Sequence, residues 1–304
     1  MKAWPATIAV TDLHGQQVDS PLNPHWHPEW LTPQWPAPSR VRAVFTSRAG
    51  GQSSAPWDSL NLGEHVHDVP SHVAANRQTL ALATACRPVF LRQVHGEQVA
   101  LLETQNLALS EPQADAAVTR QSGLGCTIMV ADCLPVLLAH LDLPVVAAAH
   151  AGWRGLAGLG AGGLPGSSSG VLGTVFSRFA DLSGQSQTQA AQRTIAWLGP
   201  CIGPSAFEVG AEVKAAFEAW HPGSGAYFAV LPGLRPAGMP AKYLADLAGL
   251  ARLKLNALGV AGVYGNDGSP GWCTVGQPSS FFSHRRDTAL GHSTGRMAAC
   301  IWQV

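Results

Sequence analysis

The sequence predicts the α+β class, with mixed β-sheets flanked by helices. Three observations lead there. Apolar runs of strand length recur along the whole chain, the clearest being Val41 to Thr46, Cys126 to Ala131, Pro135 to His140, Val145 to Ala149, Thr194 to Leu198 and Met297 to Trp302. Helical periodicity is confined to a few separate stretches, so strands and helices follow one another without the regular alternation of a βαβ protein. The 304 residues are 46% apolar, enough for one large core or two modest ones on a prior of about 150 residues per domain.

Taken in order, residues 1–39 hold seven prolines and four tryptophans and read as an irregular N-terminal arm with one short strand at Ala6 to Val10. Val41 to Thr46 runs into the Gly50-Gly51 turn and a long polar loop through His67. Ser71 is placed to cap a helix from His72 to about Ala85. Val89 to Val94 and Gln98 to Leu102 flank His95-Gly96-Glu97 and read as a hairpin with His95 at its tip. Leu141 to Pro144 turns Pro135 to His140 back on Val145 to Ala149. Residues 160–170 are almost pure Gly/Ser linker and read as a flexible surface insertion. Beyond it the pattern predicts helices at Val171 to Leu182, Ala211 to Trp220 and Lys242 to Leu258, and strands at Thr194 to Leu198, Val260 to Tyr264, Phe281 to Arg286 and Met297 to Trp302.

Lys plus Arg equals Asp plus Glu at 19 each, and charged residues make up only 12%. No net field would draw nucleic acid or anionic lipid to this chain. The apolar stretch from Cys126 to Trp153 is interrupted by Asp132, Pro135, His140, Asp142 and His150, which excludes a lipid-facing span and marks a buried sheet core. Met1 to Ser20 lacks the apolar segment of a secretory signal, so the expectation is a cytoplasmic protein whose six cysteines are free thiols. There is no strand-led G-x-G-x-x-G, no P-loop and no internal repeat, and nothing predicts a protein partner.

Three candidate metal ligands stand at the ends of apolar strands: His95, Cys133 and His150. If the Leu141 to Pro144 turn is centred between Asp142 and Leu143, His150 faces Pro135, and Cys133, two residues from Pro135, shares its side of the sheet. A shift of one residue would undo this. A thiolate with two imidazoles is a borderline-soft set suited to Zn(II), and three ligands leave a fourth position open. The competing reading is a buried cysteine beside two hydrogen-bonded core histidines. Arg48, beside Gly50-Gly51, either holds an anion or pairs with a loop carboxylate such as Asp58; Arg154 either faces a pocket or is a surface charge.

At these residues the chain resembles the bacterial laccase-domain proteins of the YfiH type, also named multicopper polyphenol oxidases and purine nucleoside phosphorylases. The matching segments are Thr46–Gly51, Ser59–Gly63, Gln93–Gly96, Ala131–Pro135, His150–Gly155, Gly199–Pro204, Cys273-Thr274, Phe282–Arg286 and Thr294–Arg296. The resemblance implies a single large α+β domain over residues 40–304 and carries zinc ligation onto His95, Cys133 and His150. Beside these ligands, the residues expected to take part are Cys133 and Arg48 in catalysis and Arg48, Asn61 and Arg154 in substrate binding. The Gly/Ser insertion after Gly155 departs from the family pattern, and the first 27 residues have no counterpart in it.

The activity so implied is zinc-dependent phosphorolysis of adenosine, inosine and S-methyl-5′-thioadenosine, with hydrolytic deamination of adenosine beside it. Nucleoside and phosphate would be the small-molecule partners. Three rivals stand next to it. Copper-dependent phenol oxidation would need about four His-x-His pairs by analogy with laccases, whereas only His25/His27 and His65/His67 are present. A hydrolase editing peptidoglycan precursors would use Cys133 as nucleophile. A zinc-stabilised binding module would close the site with a fourth protein ligand.

Overall fold

The computed structural model describes residues 25–107, 111–159, 169–231 and 240–304. Their strands form three sheets. A six-stranded mixed sheet carries, in spatial order, Gly262–Gly265, Thr194–Leu198, Leu134–His140, Val146–Ala151, Ala116–Thr119 and Val99–Leu101. A four-stranded sheet carries Val41–Phe45, Met297–Gln303, Leu124–Val130 and Arg87–Val89. A small antiparallel sheet joins Phe228–Val230, Lys242–Ala245 and Glu208–Gly210.

The two larger sheets pack face to face between helices, as alternation along each strand dictates. Leu137, Ala139, Val146, Ala148 and Trp197 meet Ile128, Val130, Met297, Ala299 and Ile301 between the sheets. The intervening residues Val136, Leu138, Ala147 and Ala149 face outward onto the helices Gly170–Ser183 and Leu247–Ala257, through Val175, Phe176, Phe179 and Leu250. On the opposite side Val44, Ala298, Cys300 and Trp302 lie under Leu80 and Ala83 of the helix Pro70–Thr84 and under Trp30 of the arm. The central strands are therefore buried on both faces, which is why they read as continuous apolar runs rather than alternating ones.

The pairing Pro135↔His150 is the register that the turn at Leu141 to Pro144 implied. Four local expectations differ from the structure. The hairpin at His95 does not form: Arg87–Val89 runs parallel to Leu124–Val130 in the smaller sheet, while Val99–Leu101 runs parallel to Ala116–Thr119 in the larger. An isolated two-stranded ribbon is marginal, and docking each run onto a longer strand buries Leu91 and Leu102. The helix expected from Ser71 starts at Pro70, which needs no amide partner at the first position, and no side chain caps it. Lys242 to Leu258 is split: Lys242–Ala245 is a strand, and Asp246 caps the helix Leu247–Ala257 by accepting from Gly249 N at 2.8 Å. Phe281 to Arg286 is no strand, because Ser283 accepts from Arg286 N at 3.1 Å and caps the helix His284–Ala289. The strand expected at Ala6 to Val10, and residues 160–168 of the Gly/Ser segment, lie outside the described residues.

The Asp246 cap gives a direct check. Asp246→Ala should lower unfolding free energy by about 1 kcal/mol, with Asp246→Asn close to wild type, in denaturant titrations.

Candidate metal centre

The chain steps from the smaller of the two large sheets to the larger at two places, and each crossing carries a candidate ligand. Residues 90–98 lead from Arg87–Val89 to Val99–Leu101 and carry His95; residues 131–133 lead from Leu124–Val130 to Leu134–His140 and end in Cys133. His150 completes the set from the end of Val146–Ala151. The ligating atoms of the three residues lie within 4.8 Å of one another, and no fourth His, Cys, Asp or Glu joins them among the described residues. His150 is buried, Cys133 half-buried and His95 exposed.

Both crossings hold unusual backbone. His95 has φ 60 and Asp132 φ 89, conformations a side chain rarely adopts without support. At Asp132 the support comes from its own carboxylate, which accepts from Thr274 Oγ1 at 2.5 Å and Arg285 N at 2.6 Å. At His95 it comes from Asp115, which is fully buried and accepts from the backbone amides of Val94, His95 and Gly96 at 3.2, 2.9 and 2.7 Å. The same carboxylate lies 2.9 Å from His150 Nδ1. With Nδ1 donating to Asp115, Nε2 is left as the ligating nitrogen, the arrangement by which metal-bound histidines are held.

The donor set fits a metal ion. Burial alone would push the Cys133 thiol up, but the charge of His150 and hydrogen bonds from His150 and His95 bring it down to about 6. Burial opposes protonation of His150, yet Cys133 and Asp115 raise it to about 9. The sulfur is thus poised as a thiolate at neutral pH, the form that binds metal. Gly152 faces the centre of the cluster: a Cβ there would stand 3.1 Å from His95 Cδ2 and 3.2 Å from Cys133 Sγ, filling the space between the ligands.

The cluster opens on a cavity of about 310 Å³. Met129, Ile202, Phe207 and Leu247 give it an apolar wall; His65, His284, Arg285 and Arg296 give it a basic rim. Burial, and then the charge of Arg296, lower the pKa of His65. Of the sequence-derived candidates, His95, Cys133 and His150 line this cavity, whereas Arg48, Asn61 and Arg154 do not. Arg48 is paired with Asp58 at 3.1 Å, donates to the Asp58 and Pro278 carbonyls and lies over Phe282, the loop-pairing alternative. Arg154 is exposed and stacks on Trp153. Asn61 is fully buried; it donates to Asp68 at 2.9 Å and accepts from Arg296 N at 2.9 Å. All six cysteines are free, and burial and then Asp246 push the buried Cys201 thiol well above its ordinary range. Sequence reasoning missed Asp115, His65 and Arg296. The signals were there: a lone carboxylate in the apolar segment Ala114–Val118, and the Thr294-Gly295-Arg296 motif.

Two outcomes follow for the cluster. Asp115→Asn should weaken binding of an added divalent metal ion by about 10–100-fold in chelator competition, because it frees the His150 ring and the His95 turn together. In metal-free protein, thiolate absorbance of Cys133 should fall as pH drops through about 6, and His150→Gln should move that midpoint upward toward the ordinary thiol range.

Residues 42–304 match the family described as multi-copper polyphenol oxidoreductase laccase. The chain is 43% identical over 273 residues to a purine nucleoside phosphorylase of Pseudomonas aeruginosa, covering 90% of this chain and 98% of that protein. It is 42% identical over 276 residues to the purine nucleoside phosphorylase YfiH of Escherichia coli K12, with the same coverage of 90% and 98%. Among solved structures it resembles a Neisseria meningitidis protein, NMB0706, at TM-score 0.74 and 39% identity over 90% of this chain and 99% of that one. It also resembles YlmD from Geobacillus stearothermophilus, at TM-score 0.71 and 29% identity over 90% and 96%. With that coverage, identity and fold, the chain belongs to the multi-copper polyphenol oxidoreductase laccase family.

Proposed function

We propose that this chain is a zinc-dependent purine nucleoside phosphorylase acting on adenosine, inosine and S-methyl-5′-thioadenosine, with hydrolytic deamination of adenosine as a second activity. The observation that carries the reading is the open His95–Cys133–His150 cluster at a cavity with one apolar wall and one basic rim. A nucleoside has matching halves: a flat base for Phe207, Met129 and Leu247, and a ribosyl carbon to be met by an anionic nucleophile from the basic side. The names of the Pseudomonas and Escherichia relatives support the same class. A zinc ion on these three ligands would supply a Lewis acid at the cavity floor. Asp115 holds His150 in one tautomer, and the apolar wall excludes water from one side of the substrate. Zinc is preferred over trinuclear copper because, among the described residues, one three-ligand cluster exists and neither His-x-His pair belongs to it.

A second reading has its own observation. Cys133, His150 and Asp115 stand in the order of nucleophile, base and orienting acid, the array of a thiol hydrolase such as one editing peptidoglycan precursors. Metal and covalent catalysis would then compete for one sulfur.

Product chromatography and elemental analysis decide. Protein purified without added metal should carry about one zinc per chain and release adenine or hypoxanthine only when phosphate is present, with ribose 1-phosphate as co-product. Cys133→Ala and His150→Ala should each lose the zinc and the activity. Full zinc occupancy in both variants would refute the ligand assignment, and base release without phosphate would refute phosphorolysis. Precursor hydrolysis by metal-stripped protein, blocked by thiol alkylation, would favour the second reading.

A further inference from the structure

We propose that Arg296, with His65 beside it, is the oxyanion anchor of this cavity and takes inorganic phosphate; the assignment rests on the phosphorylase reading. Arg48, Arg77, Arg193 and Arg286 each pair with a carboxylate, and Arg285 donates to the carbonyls of Ala206 and Glu208. Arg296 lines the cavity without an ion pair among the described residues. Only its Nη1 is used, donating to Thr294 O at 3.0 Å and Gly295 O at 3.1 Å. The Nε–Nη2 edge, the one that grips an oxyanion through two parallel hydrogen bonds, has no protein acceptor among the described residues.

Burial works against the charge on Arg296, while Cys133 and Asp132 support it. Asp132 has both carboxylate oxygens bonded elsewhere, to Thr274 and to Arg285 N, and Arg296 forms no direct ion pair with it. Its position is built. Asn61 Oδ1 accepts from Arg296 N at 2.9 Å, and the side-chain stem crosses Gly63, where a Cβ would lie 2.7 Å from Arg296 Cγ. His65 lines the same cavity and lies against Gly63 beside the Arg296 stem, adding ring nitrogens that can hydrogen-bond.

Phosphate held there shares one cavity with the His95–Cys133–His150 cluster. A phosphate oxygen forms the bond to ribose C1′ as the C1′–N bond breaks; the electron pair leaves on the purine nitrogen, which takes the proton of hydrogen phosphate. Base and ribose 1-phosphate result, with no other reactant.

The test uses the metal-loaded enzyme and separates the two KM values. Arg296→Gln should raise the phosphate KM about 10-fold or more while the nucleoside KM changes by less than about 2-fold, and Arg296→Lys should recover part of the loss. Gly63→Ala keeps the charge but displaces the stem, and should give an intermediate rise; it replaces Arg296→Gln if that variant does not fold. Titration of inorganic phosphate by calorimetry should show the same order without turnover. An unchanged phosphate KM, or an equal rise in both KM values, overturns the assignment and leaves the phosphorylase reading standing. Wild-type protein that binds phosphate through Arg296 yet releases no base overturns the reading and keeps the anion site. No phosphate binding by wild type overturns the anion site.

Discussion

The buried carboxylate of Asp115 is the constraint on which the centre depends. It gathers three backbone amides of the His95 crossing and the ring of His150, four donors converging on one side chain with no exposure to solvent. Its backbone is equally committed: Asp115 N donates to Gln98 O at 2.9 Å and Asp115 O accepts from His150 N at 2.7 Å. A charge buried this deeply persists because every lone pair is satisfied, and removing any donor would leave an uncompensated anion. Burial raises the pKa of Asp115, but the His150 hydrogen bond and charge and the amides of Gly96 and Val94 bring it below the usual carboxylate range. The residue therefore stays ionised throughout the neutral range and holds two ligands of the cluster by one group.

The double sheet explains why such a carboxylate is tolerated. Ala116 and Ala117 follow Asp115 into a strand of small residues paired with Ala149 and Ala148, so the backbone of the two strands is fully hydrogen-bonded beside it. The larger sheet supplies rigidity, and the irregular segments that cross its edge supply chemistry. This division is common where catalytic groups must be held to tenths of an ångström by elements that cannot themselves bend.

Much of this was legible in the sequence. Thiol and imidazole chemistry singled out His95, Cys133 and His150 as candidates, and the family resemblance favoured them over core residues. The short turn that sets Pro135 against His150 accounts for Cys133 and His150 sharing one side of the sheet but not for His95. The continuous apolar runs signalled strands buried on both faces. What escaped was non-local. Nothing near His95 says that the runs on either side of it pair with later strands in two different sheets, so a hairpin was the natural local reading. The split at Asp246 was hidden because Lys242–Ala245 shares the spacing of the helix that follows. Arg48 and Arg296 both lie in recognisable motifs, yet only packing distinguishes the guanidinium paired to Asp58 from the one left facing the cavity.

The two crossings between the sheets have a mechanical meaning. His95 and Cys133 sit on segments that step from the smaller sheet to the larger, and His150 sits on the larger sheet itself. An ion bound by all three would pin together two layers that pack against each other through a shared apolar core. Occupancy and layer separation then become linked equilibria: whatever draws the sheets apart at that point weakens the ion's hold, and whatever holds the ion resists the splaying. The site is thus a seam as well as a workplace, and its ligands belong to the architecture as much as to the chemistry.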